Sequence, residues 1–278
     1  MRKYLVSTLV VCSMGFAQTT ARVDSFYSPS IRSMMHYSYI LPARYDTLRT
    51  YPVLYLLHGY GGDHRNWVDL TNLLTFSAQL GLIIIMPDAA NSWYVNSAGQ
   101  PNDRYEDLIV KDIRKLVEQR FAADTSRSAI AGLSMGGYGA IMLGLRHPKL
   151  FRFAASLSGA LSIPGGIEFP ERNRAERALA NLKEVFGTDE SFRRRHDPLY
   201  LYKTTTANTL PYLYFVIGTN DGFTTFLPAH RSLTDSLRSY GARYEYHETP
   251  GGHNWKYWGK EIRPLLTRMM EVLHEANP

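Results

Sequence analysis

Residues 128–137 read Ser-Ala-Ile-Ala-Gly-Leu-Ser-Met-Gly-Gly, and our interpretation of the chain starts from this stretch. Up to Leu133 it is a nearly unbroken apolar run, as in strands that are buried on both faces. Residues 137–146 then predict a helix. Gly132, Ser134 and Gly136 thus form a Gly-x-Ser-x-Gly motif between a strand and a helix.

A Gly-x-Ser-x-Gly motif at a strand-to-helix junction is typical of a nucleophile elbow, a turn so tight that the neighbours of the serine must be small. Glycine and serine frequencies alone would supply such a pentapeptide in about one chain in ten of this length. The strand and the helix on either side therefore carry the argument. They predict that Ser134 is presented at the top of a sheet as a nucleophile.

The rest of the chain alternates between strand and helix patterns. Further apolar runs occupy residues 51–57, 82–86, 153–157 and 212–218, and residues 33–41 alternate loosely, like an edge strand. Helical spacing recurs over residues 108–121, 137–146, 228–240 and 260–276. Strands alternating with helices predict an α/β fold with a mostly parallel, doubly wound sheet.

Residues 158–206 interrupt this alternation, because they combine prolines, glycines and many charges without a strong strand pattern. We predict an insertion of short helices that forms a cap over the carboxyl edge of the sheet. Its arginines and glutamates are interleaved, which favours a solvated face with local ion pairs. A site for an acidic substrate is the alternative.

The N-terminal residues differ from the rest of the chain. Arg2 and Lys3 precede an apolar stretch that runs to Phe16, and Ala17 offers a small residue for cleavage. This layout predicts a secretory signal peptide over residues 1–17, export of the protein, and a single domain over residues 18–278. A buried first strand or an interfacial anchor is the alternative. The apolar stretch is too short to span a bilayer.

Composition narrows the possible partners. The chain has 278 residues, of which 45% are hydrophobic, so it can bury a sizeable core. Its formal net charge of +6 is modest, two of these charges lie in the predicted signal peptide, and no binding motif accompanies them. We therefore expect no nucleic-acid partner, no stable membrane insertion, no cofactor and no metal site. The only cysteine, Cys12, would leave with the signal peptide.

A serine hydroxyl needs a base, and the base needs an orienting acid. In α/β-hydrolases the acid and then the histidine follow the serine along the chain. The strand pattern of residues 212–218 is followed by Asp221, and that of residues 244–248 by His253 in a glycine-flanked loop. We predict a Ser134–His253–Asp221 triad. Taken singly, Asp221 could cap a helix and His253 could be an ordinary loop residue.

His58 is the competing base, since it also follows a buried strand, but it precedes Ser134 in the chain. The glycine-rich sequence from His58 to Gly62 favours another interpretation, an oxyanion hole. In this fold one donor is the N–H after the nucleophile and the other comes from an early strand–helix loop. These are Met135 and Tyr60 here. A simple tight turn is the alternative.

With these motifs the chain resembles the Putative esterase (esterase D-like) family of α/β-hydrolases, which includes feruloyl and acetyl xylan esterases, S-formylglutathione hydrolases and mycolyl transferases. The matching stretches, in family order, are residues 51–62, 86–97, 132–139, 218–221 and 251–258. The resemblance implies the same triad and oxyanion hole. It also implies that Asp88, Asn91, Trp93 and Tyr94 lie on a loop near the substrate, where they would form a wall that contacts the acyl group or the sugar. Simple packing of Trp93 and Tyr94 is the alternative.

The resemblance implies a serine esterase for a small or polysaccharide-linked ester, with feruloyl and acetyl groups as candidates. Two departures point to the exported carbohydrate-ester branch. S-formylglutathione hydrolases are usually cytosolic, and mycolyl transferases typically carry a glutamate and an Asp-Gly pair where this chain has Asp221 and His58-Gly59. An acyltransferase, an S-formylglutathione hydrolase-like thioesterase and a non-catalytic binding protein stay as alternatives.

Overall fold

The computed structural model describes residues 19–165 and 175–275. Within these ranges eight strands form one sheet in the spatial order β1-β2-β4-β3-β5-β6-β7-β8. The strands are β1 (Ala21–Ser28), β2 (Ser33–Ile40), β3 (Tyr51–Leu57), β4 (Ile83–Pro87), β5 (Ala123–Leu133), β6 (Phe153–Leu157), β7 (Tyr212–Gly218) and β8 (Tyr244–Thr249). Strands β3 to β8 are parallel to one another, β2 pairs antiparallel with β4, and β1 pairs antiparallel with β2 at the edge of the sheet.

Helices connect the parallel strands. They are α1 (Asn66–Asp69), α2 (Leu73–Ser77), α3 (Tyr105–Asp107), α4 (Arg114–Arg120), α5 (Met135–Arg146), α6 (Ala175–Phe186), α7 (Glu190–Arg194), α8 (Pro198–Leu201), α9 (Phe226–Tyr240) and α10 (Trp255–His274). A π-helical turn, Leu108–Ile113, joins α3 to α4, and two 3₁₀ turns, Tyr202–Thr204 and Ala207–Thr209, follow α8. No helix in the described ranges is long and apolar enough to cross a membrane.

Two apolar cores lie on opposite faces of the sheet. In β3, Val53, Tyr55 and Leu57 point into the core that α5 and α9 cover, and Leu54 and Leu56 point into the core that α10 covers. Every residue of this strand is buried, as its unbroken apolar run predicts. Helices on both faces of a mostly parallel sheet make this the predicted doubly wound α/β-hydrolase fold.

Strand β1 was not predicted from the sequence. It pairs with β2 along its whole length, from Ala21↔Ile40 to Ser28↔Ser33. Most of its residues are half-buried or exposed, because it lies at the edge of the sheet. Its sequence therefore lacks the apolar run that identifies the central strands.

The predicted helical cap is present in the described part of residues 158–206, as α6, α7 and α8. Arg194 and Glu190 form an exposed ion pair at 2.5 Å, one of the local pairs expected there. The predicted signal peptide lies outside the described residues, so the processing site stays a prediction.

Candidate active site

Ser134 occupies the turn between β5 and α5 with φ 52° and ψ −116°, a conformation that a residue with a side chain rarely adopts. The flanking glycines make the turn possible. A Cβ on Gly132 would overlap the Gly136 carbonyl oxygen, and a Cβ on Gly136 would lie 2.5 Å from the His58 carbonyl oxygen. The motif therefore requires glycine at both positions because backbone approaches backbone.

The structure brings the three predicted triad residues together at the carboxyl ends of β5, β7 and β8. The Ser134 hydroxyl donates to His253 Nε2 at 2.9 Å, and His253 Nδ1–H donates to Asp221 Oδ2 at 2.9 Å. The Asp221 side chain is 1% exposed and that of His253 14%. This geometry lets the imidazole take the serine proton while the carboxylate holds its orientation.

Asp221 is held in its charged form. Burial by itself raises the pKa of this carboxyl, but the hydrogen bonds from His253 and from the Phe223 N–H outweigh burial and lower the pKa below its ordinary value. The Phe223 N–H lies 3.0 Å from Oδ1. A charged Asp221 keeps the proton of neutral His253 on Nδ1, which leaves Nε2 free to accept from Ser134.

Aromatic rings surround the His253 imidazole. Trp258 meets it edge-on with centroids 4.9 Å apart, and Phe223 and Phe226 do so at 4.7 and 5.7 Å. Asn254 follows His253 and caps α10 by accepting from the Tyr257 N–H at 3.0 Å. The Asn254 N-cap fixes the backbone next to His253, and the aromatic rings restrict the rotation of the imidazole.

The predicted oxyanion donors lie on either side of the nucleophile. Met135 begins α5, so its N–H has no partner within the helix. A Cβ on Gly59 would lie 3.6 Å from Ser134 Cβ, so the Gly59–Tyr60 segment lies directly against the serine. Across residues 19–165 and 175–275, neither the Tyr60 nor the Met135 N–H donates to a protein atom. Both donors can therefore bind an oxyanion.

The loop after β4 carries the residues that are predicted to lie near the substrate. Tyr94 is fully buried and its hydroxyl donates to the His58 carbonyl at 2.9 Å. This burial agrees with the alternative that Tyr94 packs inside the protein. Trp93 is 5% exposed, and the Asp88 side chain is 33% exposed with its carboxylate bound by the Ala90 N–H. Their contact with substrate stays a prediction.

Sequence reasoning missed Asn181, which lies in the cap helix α6. Its Oδ1 accepts from the Trp93 indole N–H at 2.9 Å, and its Nδ2 donates to the Asn91 carbonyl at 3.0 Å. Asn91 Oδ1 accepts from the Gly61 N–H at 2.6 Å. Through Asn91, Asn181 thus connects the helical cap to the oxyanion loop, His58 to Gly62. No signal in the sequence joins it to Trp93, which is 88 residues away.

The described residues contain no group of three or more His, Cys, Asp or Glu side chains that could hold a metal ion.

The chain is similar to known proteins over most of its length. Residues 28–269 match the family described as "Putative esterase". The chain is 28% identical over 229 residues to an acetyl esterase of Caldicellulosiruptor saccharolyticus, which covers 79% of this chain and 83% of that protein. It is 26% identical over 249 residues to the diacylglycerol acyltransferase/mycolyltransferase Ag85B of Mycobacterium leprae, covering 80% of this chain and 76% of the relative.

Among solved structures, the chain is similar to FphF, a fluorophosphonate-binding serine hydrolase of Staphylococcus aureus in a substrate-bound form. The TM-score is 0.79 at 25% sequence identity, over 91% of this chain and 98% of the other. The likeness therefore extends over nearly the whole chain.

Proposed function

The chain belongs to the Putative esterase family and is a carboxylic ester hydrolase, and from this premise we propose that Ser134, His253 and Asp221 hydrolyse the ester through an acyl-enzyme. His253 Nε2 takes the Ser134 proton while Oγ attacks the ester carbonyl carbon. The carbonyl oxygen becomes an oxyanion, which the Tyr60 and Met135 N–H groups stabilise.

The oxyanion then collapses and the bond to the alcohol oxygen breaks. His253 Nε2 gives its proton to the departing alkoxide, which leaves as an alcohol, and the acyl group stays on Ser134 Oγ. Water enters, loses a proton to His253 and attacks the acyl carbon. The second oxyanion expels Ser134, which regains its proton from His253, and the acid departs. Asp221 stabilises the charged imidazole in both halves.

The observation that carries this proposal is the pair of 2.9 Å hydrogen bonds that join three side chains from the ends of three strands. A triad linked in this order, beside two unpartnered N–H groups, has the parts that acyl transfer needs. A serine in a strained elbow would otherwise cost stability without benefit.

For the substrate we propose an ester of an aryl or short acyl acid, with acetyl and feruloyl groups on polysaccharide as candidates. Two exposed aromatic side chains support this class. Tyr60 is 42% exposed with its ring 6.2 Å from Trp93, and Phe223 is 52% exposed with its ring 4.7 Å from His253. Exposed rings beside the catalytic histidine and on the predicted oxyanion segment suit flat acyl groups and sugar faces.

We also propose that the protein is exported after cleavage behind Ala17, on the basis of the charged and apolar pattern of residues 2–17. Mass spectrometry of the N-terminal peptide from native host cells and medium tests this. A cell-associated chain that begins at Met1 would contradict it.

The experiment that tests the catalytic proposal compares wild type, Ser134→Ala and Ser232→Ala on p-nitrophenyl acetate, methyl ferulate and acetylated xylan. We expect Ser134→Ala to lower turnover by about 10⁶-fold, as loss of a triad serine does elsewhere. Ser232 is exposed on α9 and its substitution serves as the control. A fluorophosphonate probe should label wild type on the Ser134 peptide. Wild-type turnover in Ser134→Ala would eliminate this serine from the mechanism.

Acyl transfer to an alcohol is the second candidate, favoured by the similarity to Ag85B, a diacylglycerol acyltransferase/mycolyltransferase. The two functions share the acyl-enzyme and differ in the acceptor. Adding glycerol or trehalose to the assay distinguishes them: a new ester product that grows at the expense of free acid indicates a transferase. Release of free acid alone, at every alcohol concentration, indicates a hydrolase.

A further inference from the structure

The peptide group between Gly59 and Tyr60 carries one of the two oxyanion donors. Because a peptide group is planar and trans, its carbonyl oxygen and its N–H point in opposite directions. Whatever holds the Gly59 carbonyl therefore sets the direction of the Tyr60 N–H. A donor that turns away from the serine would be lost to the transition state.

Two donors hold that carbonyl. His58 Nδ1 lies 2.8 Å from the Gly59 oxygen, and the Gly62 N–H donates to the same oxygen at 3.0 Å. A carbonyl oxygen only accepts, so His58 Nδ1 must carry the proton. With both lone pairs of the Gly59 oxygen engaged, the orientation of the peptide group is fixed.

The second ring nitrogen of His58 settles its charge. The Ala89 N–H donates to Nε2 at 3.0 Å, so Nε2 must present a lone pair and carry no proton. His58 is therefore neutral, with its one ring proton on Nδ1. Its side chain is 1% exposed, and burial lowers its pKa, although Asp88 Oδ1 lies 3.7 Å from Nε2 and acts in the opposite direction.

The carbonyls before Gly59 are also bound by side chains. The Leu57 oxygen accepts from the Trp67 indole N–H at 3.0 Å, and the His58 oxygen accepts from the Tyr94 hydroxyl at 2.9 Å. These two bonds fix the path of the chain as it leaves β3. Within residues 19–165 and 175–275, His58 is the one side chain that bonds to the Gly59 carbonyl, and the backbone N–H of Gly62 is the second donor.

We propose that His58 is a positioning residue of the oxyanion hole, whose neutral imidazole holds the Gly59 carbonyl so that the Tyr60 N–H points at the developing oxyanion. This inference rests on the proposed function, because it requires acyl transfer at Ser134. His58 itself does not touch the substrate. Its bond to Gly59 also polarises the peptide group and strengthens the N–H as a donor.

The proposal predicts a particular kinetic signature. An oxyanion donor contributes more in the transition state than in the ground state, since negative charge develops on the oxygen only as the bond forms. Loss of His58 should therefore lower kcat and leave KM within about threefold. The decrease in kcat should be at least tenfold and at most about the 10²–10³-fold that removal of one donor costs.

Two nearly isosteric variants distinguish the roles of the two ring nitrogens of His58. His58→Asn places an amide N–H near the position of Nδ1 and gives up the Nε2 acceptor, whereas His58→Gln can reach the Ala89 N–H but offers no donor at the δ position. We expect His58→Asn to keep most of the activity, and His58→Gln and His58→Ala to lose it as stated. Tyr94→Phe removes the bond to the neighbouring carbonyl and should cost less than His58→Gln.

The decisive measurement is the affinity for an aryl trifluoromethyl ketone, which adds reversibly to the serine and forms a tetrahedral oxyanion. Across the variants, its dissociation constant should rise by the same factor by which kcat/KM falls. Thermal unfolding of each variant confirms that it is folded. If His58→Ala does not fold, the Asn and Gln variants decide.

Unchanged ketone affinity in a folded His58→Gln, or equal losses in the Asn and Gln variants with a raised KM, would overturn the proposal and leave His58 as a packing residue. If Ser134→Ala abolishes hydrolysis while the His58 variants stay fully active, this inference alone fails. If Ser134→Ala keeps wild-type hydrolysis, the proposed function fails, and this inference with it.

Discussion

At the scale of single residues, the site depends on a few atoms with fixed proton positions. Asp221 accepts a hydrogen bond from His253 Nδ1–H, and His253 Nε2 accepts a hydrogen bond from the Ser134 hydroxyl, whose proton it takes during the reaction. Hydrogen bonds lower the pKa of Asp221 in spite of burial, so its carboxylate is charged. A charged carboxylate can only accept a hydrogen bond, which fixes the His253 proton on Nδ1. Removing that charge while keeping the shape should therefore impair the base and leave the fold intact.

Asp221→Asn tests this point. The amide can donate to His253 Nδ1, which favours the tautomer with the proton on Nε2, where it blocks the Ser134 hydroxyl. We expect kcat to fall by about 10⁴-fold, as in other triads. Asp235→Asn on α9, where the aspartate is 71% exposed, is the matched control and should behave as wild type. Unchanged kcat in Asp221→Asn would show that another acid orients His253.

At the scale of elements, the elbow works because β5 and α5 approach each other and β3 without intervening side chains. Gly136 faces the carbonyl oxygens of Leu57 and His58, at 2.6 and 2.5 Å from where its Cβ would be. Neither oxygen can move without disturbing β3 and the oxyanion loop. A methyl group added at Gly136 should therefore displace the backbone around Ser134 and the oxyanion loop, and so disturb the catalytic geometry.

We expect Gly136→Ala to lower kcat/KM at least tenfold and to destabilise the fold by about 1–3 kcal/mol. The added methyl group would overlap backbone atoms, which cannot move aside without shifting the chain. Gly259→Ala on α10 is the control. Its Cβ would meet Thr71 at an ordinary 3.6 Å, and alanine favours helix by about 1 kcal/mol over glycine. Assays together with chemical denaturation check both. A fully active Gly136→Ala would contradict the close packing of the elbow.

The cap helix α6 is a second element with a definite link to the site. Asn181→Ala removes both its bonds, to Trp93 and to the Asn91 carbonyl. We expect a KM increase of about threefold to tenfold for aryl esters and a smaller change in kcat, since the loop of Asn91 and Trp93, which we propose lies near the substrate, loses its support. Lys183→Ala, exposed on the same helix, should leave both constants unchanged. Equal KM values in the two variants would refute the link.

At the scale of the whole molecule, buried histidines couple stability to pH. Burial lowers the pKa of His230 and of His196 to about 4 each, from the ordinary 6.5. The unfolded chain binds these protons more readily than the folded protein. The stability that they contribute is therefore present above about pH 6.5 and is lost as the pH falls towards 4. Burial raises the pKa of Asp197 to about 6, so the folded protein binds this proton more readily than the unfolded chain. Asp197 therefore stabilises the fold as the pH falls, but it is one group against two histidines that act in the other direction.

We therefore expect Tm to fall by several degrees between pH 7 and pH 5, since each buried histidine contributes on the order of 1–2 kcal/mol over this range. In His230→Gln this fall should be smaller. In His247→Gln, where the imidazole is 43% exposed, it should match wild type. Calorimetry at pH 7 and pH 5 measures the change in Tm with pH for wild type and for each variant. Parallel slopes in all three proteins would remove His230 as a source of the pH dependence.

By itself, the sequence determined the doubly wound fold, the elbow at Ser134 and the choice of Asp221 and His253. Each of these follows from a local signal: an unbroken apolar run, glycines in a turn, or a polar residue directly after a strand. Chain order then brings the strand ends to one edge of a parallel sheet.

Only the tertiary structure decided that Tyr94 is buried, that Asn181 supports the loop of Asn91 and Trp93, and that the His58 side chain bonds to the Gly59 carbonyl. The physical reason is the same in each case. Whether a polar side chain faces solvent, substrate or a backbone carbonyl depends on partners that are distant in the chain, such as Ala89 for His58. The pattern of apolar residues carries no record of such pairs, because hydrogen bonds between distant residues leave no local periodicity.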